Sequence, residues 1–193
     1  MTESPIVEEY VPWKSRLWIS GADSAIAILQ TVVAGGALTY YFTRVRGLSA
    51  EGAATVWLLF AIWNAINDPL FGYISDRTKS KFGRRKPYIR FGAPLVTLWF
   101  IFLWLDLPAT QGILFSQLLV GLFLYDILYT AIATSIYIMP YEMAVSNKAR
   151  SSIFIWKIIF MIFPNIFPFV IAMIQPGPGD DPTSYRIMMI LLG

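Results

Sequence analysis

In the second long apolar run of this 193-residue chain, the stretch "NAINDP" gathers Asn64, Asn67, Asp68 and Pro69. Asp68 lies eight residues before Asp76, about 12 Å along a helix, which puts its carboxylate near the middle of a bilayer. A carboxylate there costs about 2.5–3.5 kcal/mol on insertion scales unless it faces water or a partner. Asn64 sits one helical turn earlier on the same face, and Asn67 adjoins the acid. Pro69 has no N–H to donate, which frees the carbonyl of Ala65. Oxygens from a carboxylate, two amides and a carbonyl make hard ligation for a small cation. The structural alternative is a kinked helix with a polar bond to a neighbour.

Three further charges interrupt apolar runs. Asp126 lies near the middle of the fourth run, with Tyr129 and Thr130 one turn on along the same side. With no cation near it in sequence, it is a candidate proton carrier, against the alternative of a bond to a neighbouring helix. Lys157 follows Arg150 by seven residues, about 10 Å into the fifth run. It either snorkels back to the interface or pairs with Asp126, Asp68 or a polar solute. Asp23 is shallower in the first run, where it either helps the helix begin or faces a site. Tyr40, Tyr41, Trp63, Tyr137 and Trp156 are candidate platforms for stacking against sugar rings, although most aromatics in such chains form belts and packing surfaces.

The elements that must position these residues are long helices. The chain is 56% hydrophobic and only 14% charged, far more apolar than a soluble domain. Runs able to cross about 30 Å of hydrocarbon span about 17–43, 52–75, 88–106, 111–141 and 151–174, with another opening near 184. They are too long and continuous for barrel strands. Residues 1–16 precede the first run, and the first twenty residues do not read as a cleavable signal. The last run covers only about half a crossing before Gly193, so the expectation is a piece of a longer protein whose C-terminal half is missing.

The cations set an orientation. With residues 1–16 cytoplasmic, only Arg44, Arg46 and Arg186 of the 15 Lys and Arg residues fall outside, as the positive-inside rule requires. The basic run between the second and third spans is therefore a topology signal rather than a nucleic-acid patch. With no cysteine and no histidine, the chain has no thiolate metal site and lacks the commonest general base. No nucleophile motif or phosphate-cradling loop is present, so neither an enzyme nor an organic cofactor is expected.

"GYISDRTKSKFGRRK" resembles the loop between the second and third helices of the major facilitator superfamily: Gly, three residues, Asp-Arg, then Gly-Arg-Arg-Lys. The five-residue spacer "TKSKF", the upstream "NDP" and the downstream "RKPYI" are similar to the glycoside–pentoside–hexuronide:cation symporters. "YYFTRVRGLS" resembles that family's "YYTDVVGLS". Plant sucrose–proton symporters share the expanded loop and are the nearest competing subgroup.

The resemblance implies an all-α polytopic membrane protein, the N-terminal six-helix bundle of a twelve-helix transporter with its last helix truncated. It implies proton- or sodium-coupled symport of a sugar, glycoside or related polar solute by alternating access, in the plasma membrane. Asn67 and Asp68 match the family's cation site, Asn64 replaces an acid there, and Thr130 matches a threonine that joins it. Asp126 matches the fourth-helix acid of the sucrose symporters. Tyr137 falls on a sugar-stacking tryptophan and Lys157 on a sugar-contacting arginine, while Asp23 matches a sugar-binding acid only with a shift of the first helix. Ala133 and Ser135 replace the family's fourth-helix sugar acid and proline. Gly72 would allow close packing, and Asp76, Arg77, Gly83, Arg84, Arg85 and Lys86 would form a breakable gate. A carrier of lipid-like amphipaths and a non-transporting receptor or half-transporter are the competing expectations.

Overall fold

The computed structural model describes residues 9–177 and 180–193; residues 1–8 of the N-terminal segment lie outside that range. Helix α1 (Trp13–Ala34) starts after Pro12, about one turn ahead of the first apolar run, because Lys14 and Arg16 continue the helix past its greasy part. Gly36, at φ 93°, separates it from the short α2 (Ala37–Tyr40), which passes directly into a π-helical turn over Tyr41–Val45. A π turn absorbs one extra residue in a helix. "YYFTRVRGLS" is one residue longer than the nine-residue pattern it resembles, and the turn falls in that stretch.

Helix α3 (Ala50–Arg77) is capped by Ser49, whose hydroxyl accepts the Gly52 N–H. It continues unbroken through Pro69. Helix α4 (Lys86–Leu103) opens with Pro87 in its first turn, where a missing N–H costs nothing. Helix α5 (Gln111–Met143) is capped by Thr110. Ser146 caps α6 (Asn147–Phe160), and the Glu9 carboxylate also accepts the Val145 and Ser146 N–H groups there. Those bonds hold the exposed Glu9 carboxyl below its ordinary pKa. Helix α7 (Ile162–Ile174) continues the line of α6 after a break at Met161. Helix α8 (Thr183–Leu192) is last, and no strand occurs among the described residues.

The α6–α7 break has a local cause. Pro164 cannot bond the carbonyl of Phe160; the Ser24 hydroxyl of α1 donates to it instead, at 2.9 Å. The stretches Trp13–Val45, Gln111–Met143 and Asn147–Ile174 are long and apolar enough to cross a membrane. Helix α3 has the length, with 28 residues, but its Asn64, Asn67, Asp68 and Asp76 dilute its apolarity.

Helices α4 and α5 pack closely. A methyl group on Gly121 would sit 2.4 Å from the end of the buried Leu103 side chain, which would have to shift to admit it. The core runs through the ends of α1, α4 and α5, with Tyr41, Phe100, Trp104, Leu118 and Tyr125 buried. On the face opposite the basic loop, Arg46 closes the end of α4. It donates to the carbonyls of Leu105 (3.0 Å) and Leu107 and pairs with Asp106, which also meets Arg186 at 2.7 Å. Sequence reading counted Arg46 and Arg186 only as sparse cations; they are the clasp of that face.

Candidate ion and solute site

The polar residues of α3 and α5 form one connected chain. Asp126 is buried in α5 and accepts from Asn67 Nδ2 at 2.8 Å and from Asn64 Nδ2 at 3.2 Å. Asn67 Nδ2 also faces the Thr130 hydroxyl oxygen at 3.2 Å. That hydroxyl donates to Asp68 Oδ1 at 3.0 Å. Amides and a hydroxyl thus link two carboxylates, one sealed and one open. The geometry follows from helical spacing: Asn64 and Asn67 share a face of α3, as do Asp126 and Thr130 of α5. The Asn67 Oδ1 atom is buried without a partner. Asp126, read in the sequence as a proton carrier or an acid bonded to a neighbouring helix, is held by these two asparagines of α3.

Asp68 is exposed on the wall of a cavity of about 430 Å³. Asp23, Tyr129, Thr130, Thr134, Tyr137 and Met161 line it too. This places Asp23 and Asp68 around one space, together with Tyr137, which is 63% exposed. The other aromatic candidates are engaged elsewhere. Tyr41 is buried, Tyr40 donates to the Pro176 carbonyl, Trp63 stacks on Phe123, and Trp156 packs near Phe160.

Lys157 does not snorkel, and its partner is neither Asp126 nor Asp68. Its Nζ lies 3.2 Å from Asp23 Oδ2, with only 10% of its side chain exposed. α6 runs against α1, which brings together two residues far apart in sequence. The same ammonium sits 6.0 Å from the centre of the Tyr137 ring, a cation–π distance. Ala133 lines the cavity, whereas Ser135 is buried and donates to the Ala131 carbonyl.

A second polar cluster lies at the basic face. Arg85 is buried and reaches three groups: Asp76 at 2.7 Å, Glu142 at 3.2 Å and the Ser75 hydroxyl at 2.9 Å. It thereby ties the ends of α3, α4 and α5. Arg84 adds a longer contact to Glu142 at 3.4 Å. Gly83, at φ 94°, turns the chain into α4 in a region that favours glycine. Arg77 instead lies over the Tyr73 ring at 4.1 Å, and Lys86 is exposed at the start of α4. The close packing expected at Gly72 is not made within this chain, since a side chain there would meet no atom within 4 Å. Sequence reasoning missed Glu142 and Ser75. The available signal was Glu142 itself, an acid at the end of a span on a face dominated by cations.

The comparisons with known proteins agree with this architecture. The family model described as MFS/sugar transport protein matches residues 20–192. The uncharacterized symporter YnaJ of Bacillus subtilis is 32% identical over 169 residues, covering 81% of this chain and 35% of that protein. The putative glycoside/cation symporter YagG of Escherichia coli is 28% identical over 161 residues, again 81% of this chain and 35% of the relative. The isoprimeverose transporter of Lactiplantibacillus pentosus is 32% identical over a shorter stretch, 44% of this chain and 18% of its own. The chain thus spans about a third of the length of the curated relatives it matches most fully. The chain belongs to the MFS/sugar transport protein family, and within the major facilitator superfamily it corresponds to the N-terminal part of the glycoside–pentoside–hexuronide:cation symporters.

Proposed function

We propose that the protein carrying this chain is a cation-coupled secondary transporter that moves a sugar-like solute by alternating access around the midplane cavity. The observation that supports this best is the shared wall of Asp23, Asp68, Thr130 and Tyr137, with Asp68 joined through Thr130 and Asn67 to Asp126. A carboxylate at that depth is costly unless a cation accompanies it. Occupancy of Asp68 by H⁺ or Na⁺ lowers that cost and favours solute beside it. By linkage, solute then favours the ion by the same factor.

Asp68, Asn67, Asn64 and Thr130 serve the ion in this reading, and Asp126 is a proton site. Asp23, Lys157 and Tyr137 serve the solute. The Asp76–Arg85–Glu142 cluster, with Arg84, Lys86, Arg77, Gly72 and Gly83 around it, is the gate at a cytoplasmic face. The N-terminus is on that side of the plasma membrane, and a C-terminal half completes the cavity. Relatives named as symporters and as an isoprimeverose transporter support the solute class.

The test is Asp68→Asn in the full-length protein, with accumulation measured in vesicles under an imposed proton or sodium gradient. Uphill uptake should be lost while expression persists. Undiminished uphill uptake would refute the ion role of Asp68.

A further inference from the structure

The proposed gate uses residues on both sides of the spacer "TKSKF" but none within it. From Arg77 to Arg90 the chain carries seven cations and no acid. Arg85 is buried against Asp76 and Glu142, while the other six are exposed. Lys79, Lys81, Lys86 and Arg90 meet no carboxylate among the described residues. Two contacts fold the spacer back over the start of α4. The Thr78 hydroxyl meets that of Tyr88, and the Arg90 guanidinium lies 5.3 Å from the centre of the Phe82 ring. An open hollow of about 750 Å³ lies beside the spacer, and Lys79, Ser80 and Arg84 line it. Its one acid, Asp76, is already paired with Arg85 at 2.7 Å.

Apolar surface adjoins these cations. The Arg90 guanidinium is also 6.0 Å from the centre of the Phe91 ring, and both Phe82 and Phe91 are exposed. Phe91 opens a stripe with Leu95 and Leu98, exposed at helical spacing along α4. The helix meets α5 through another side, where Gly92 sits against Ile132 and Val96 is buried. From Phe91 to Leu98 is about 10 Å along the axis, over half the depth of one leaflet of a hydrocarbon core about 30 Å thick.

A soluble polyanion would use the charge and leave the rings and stripe bare. A neutral lipid would use the stripe and leave the cations without a partner. An anionic phospholipid uses both, because a basic cluster at the end of a span attracts its headgroup through each cation near the surface. We propose that the spacer and the start of α4 form a binding site for an anionic phospholipid. Lys79, Lys81 and Arg90 hold the phosphate, and an acyl chain lies along Phe91, Leu95 and Leu98. The site is separate from the cavity and independent of the solute and the coupling ion.

Lipid binding to the full-length protein tests it. The purified protein in neutral detergent is titrated with phosphatidylglycerol, phosphatidylcholine of the same acyl chains, and glycerol 3-phosphate, and bound lipid is counted by native mass spectrometry. The first phosphatidylglycerol should bind roughly tenfold more tightly than phosphatidylcholine, and glycerol 3-phosphate should not displace it. Lys79→Gln, Lys81→Gln and Arg90→Gln together should remove most of that preference. Phosphatidylglycerol with a photoactivatable acyl chain should cross-link to residues 91–98. If the triple variant does not fold, the lipid preference and cross-link positions of the unmodified protein decide. Equal binding of the two lipids, or a preference that survives the triple variant, overturns the proposal. So does displacement by glycerol 3-phosphate, which assigns the cations to a soluble anion. Cross-links that avoid residues 91–98 also overturn it, as when the rest of the protein covers the stripe. Failure of the transporter reading changes none of these outcomes.

Discussion

Helices α3 and α5 are joined twice, and the two junctions are built on opposite principles. At the first, Asp68 and Asp126 are linked only by neutral donors, with no fixed cation between them. At the basic face, Arg85 meets Asp76 and Glu142 directly, so the charges cancel one another. Burial is distributed differently as well. At the first junction the sealed charge is an acid, Asp126, with Asp68 exposed. At the second it is the cation, Arg85, with 64% and 36% of the Asp76 and Glu142 side chains exposed. In the proposed reading, a mobile cation supplies the positive charge that the first junction lacks. A self-neutral junction with wet acids can break and re-form as the faces move, because each carboxylate regains water when it lets go.

The comparison is broken most severely by Asn67→Ala. That change removes the 2.8 Å donor to a buried carboxylate and leaves Thr130 without its amide neighbour. A hydrogen bond to a charged group contributes about 1.5–3 kcal/mol, so ion-dependent uptake should fall by about ten- to a hundredfold. Transport measured against ion concentration reads this out.

Arg85→Lys is the next largest. Charge is kept, but the fork that reaches Ser75, Asp76 and Glu142 together is lost. The expected cost is about 1 kcal/mol, visible as a shifted balance between inward- and outward-open forms in accessibility labelling, with the ion dependence unchanged. Smallest is Arg84→Gln. Its contact is 3.4 Å between exposed side chains, and pairs of that kind contribute about 0–1 kcal/mol. Gate labelling and uptake should stay close to those of the unmodified protein, and less so at low salt.

What the sequence disclosed, and what it did not, follows a physical line. Asp68, Pro69 and the asparagines stood out because polar groups in an apolar run are costly wherever the chain folds. The helical class followed from run length. Partnerships between helices were hidden. Asn67 and Asp126 are 59 residues apart, and Lys157 is further still from Asp23. Nothing local in either sequence stretch states which helix will lie alongside. The acids named as possible partners of Lys157 were therefore not the one it meets, and the helix that bonds Asp126 could not be named.

Glu142 escaped notice for a related reason. At the end of a span, an acid reads as an ordinary interfacial charge until Arg85 is seen beside it. Gly72 shows the converse limit. Its spacing suggested close packing, but the space beside it is open within this chain. The π turn at Tyr41–Val45 was legible only as one extra residue, with no indication of how the helix would absorb it.

The central claim is that the open carboxylate of Asp68 links ion binding to solute binding. Its most direct test is the solute dissociation constant of the full-length protein across a series of sodium concentrations and, separately, of pH. In the unmodified protein, solute should bind more tightly as one of these two cations rises, and Asp68→Asn should abolish that dependence. A solute affinity that ignores both cations in the unmodified protein, or that keeps its full cation dependence in Asp68→Asn, would contradict the account.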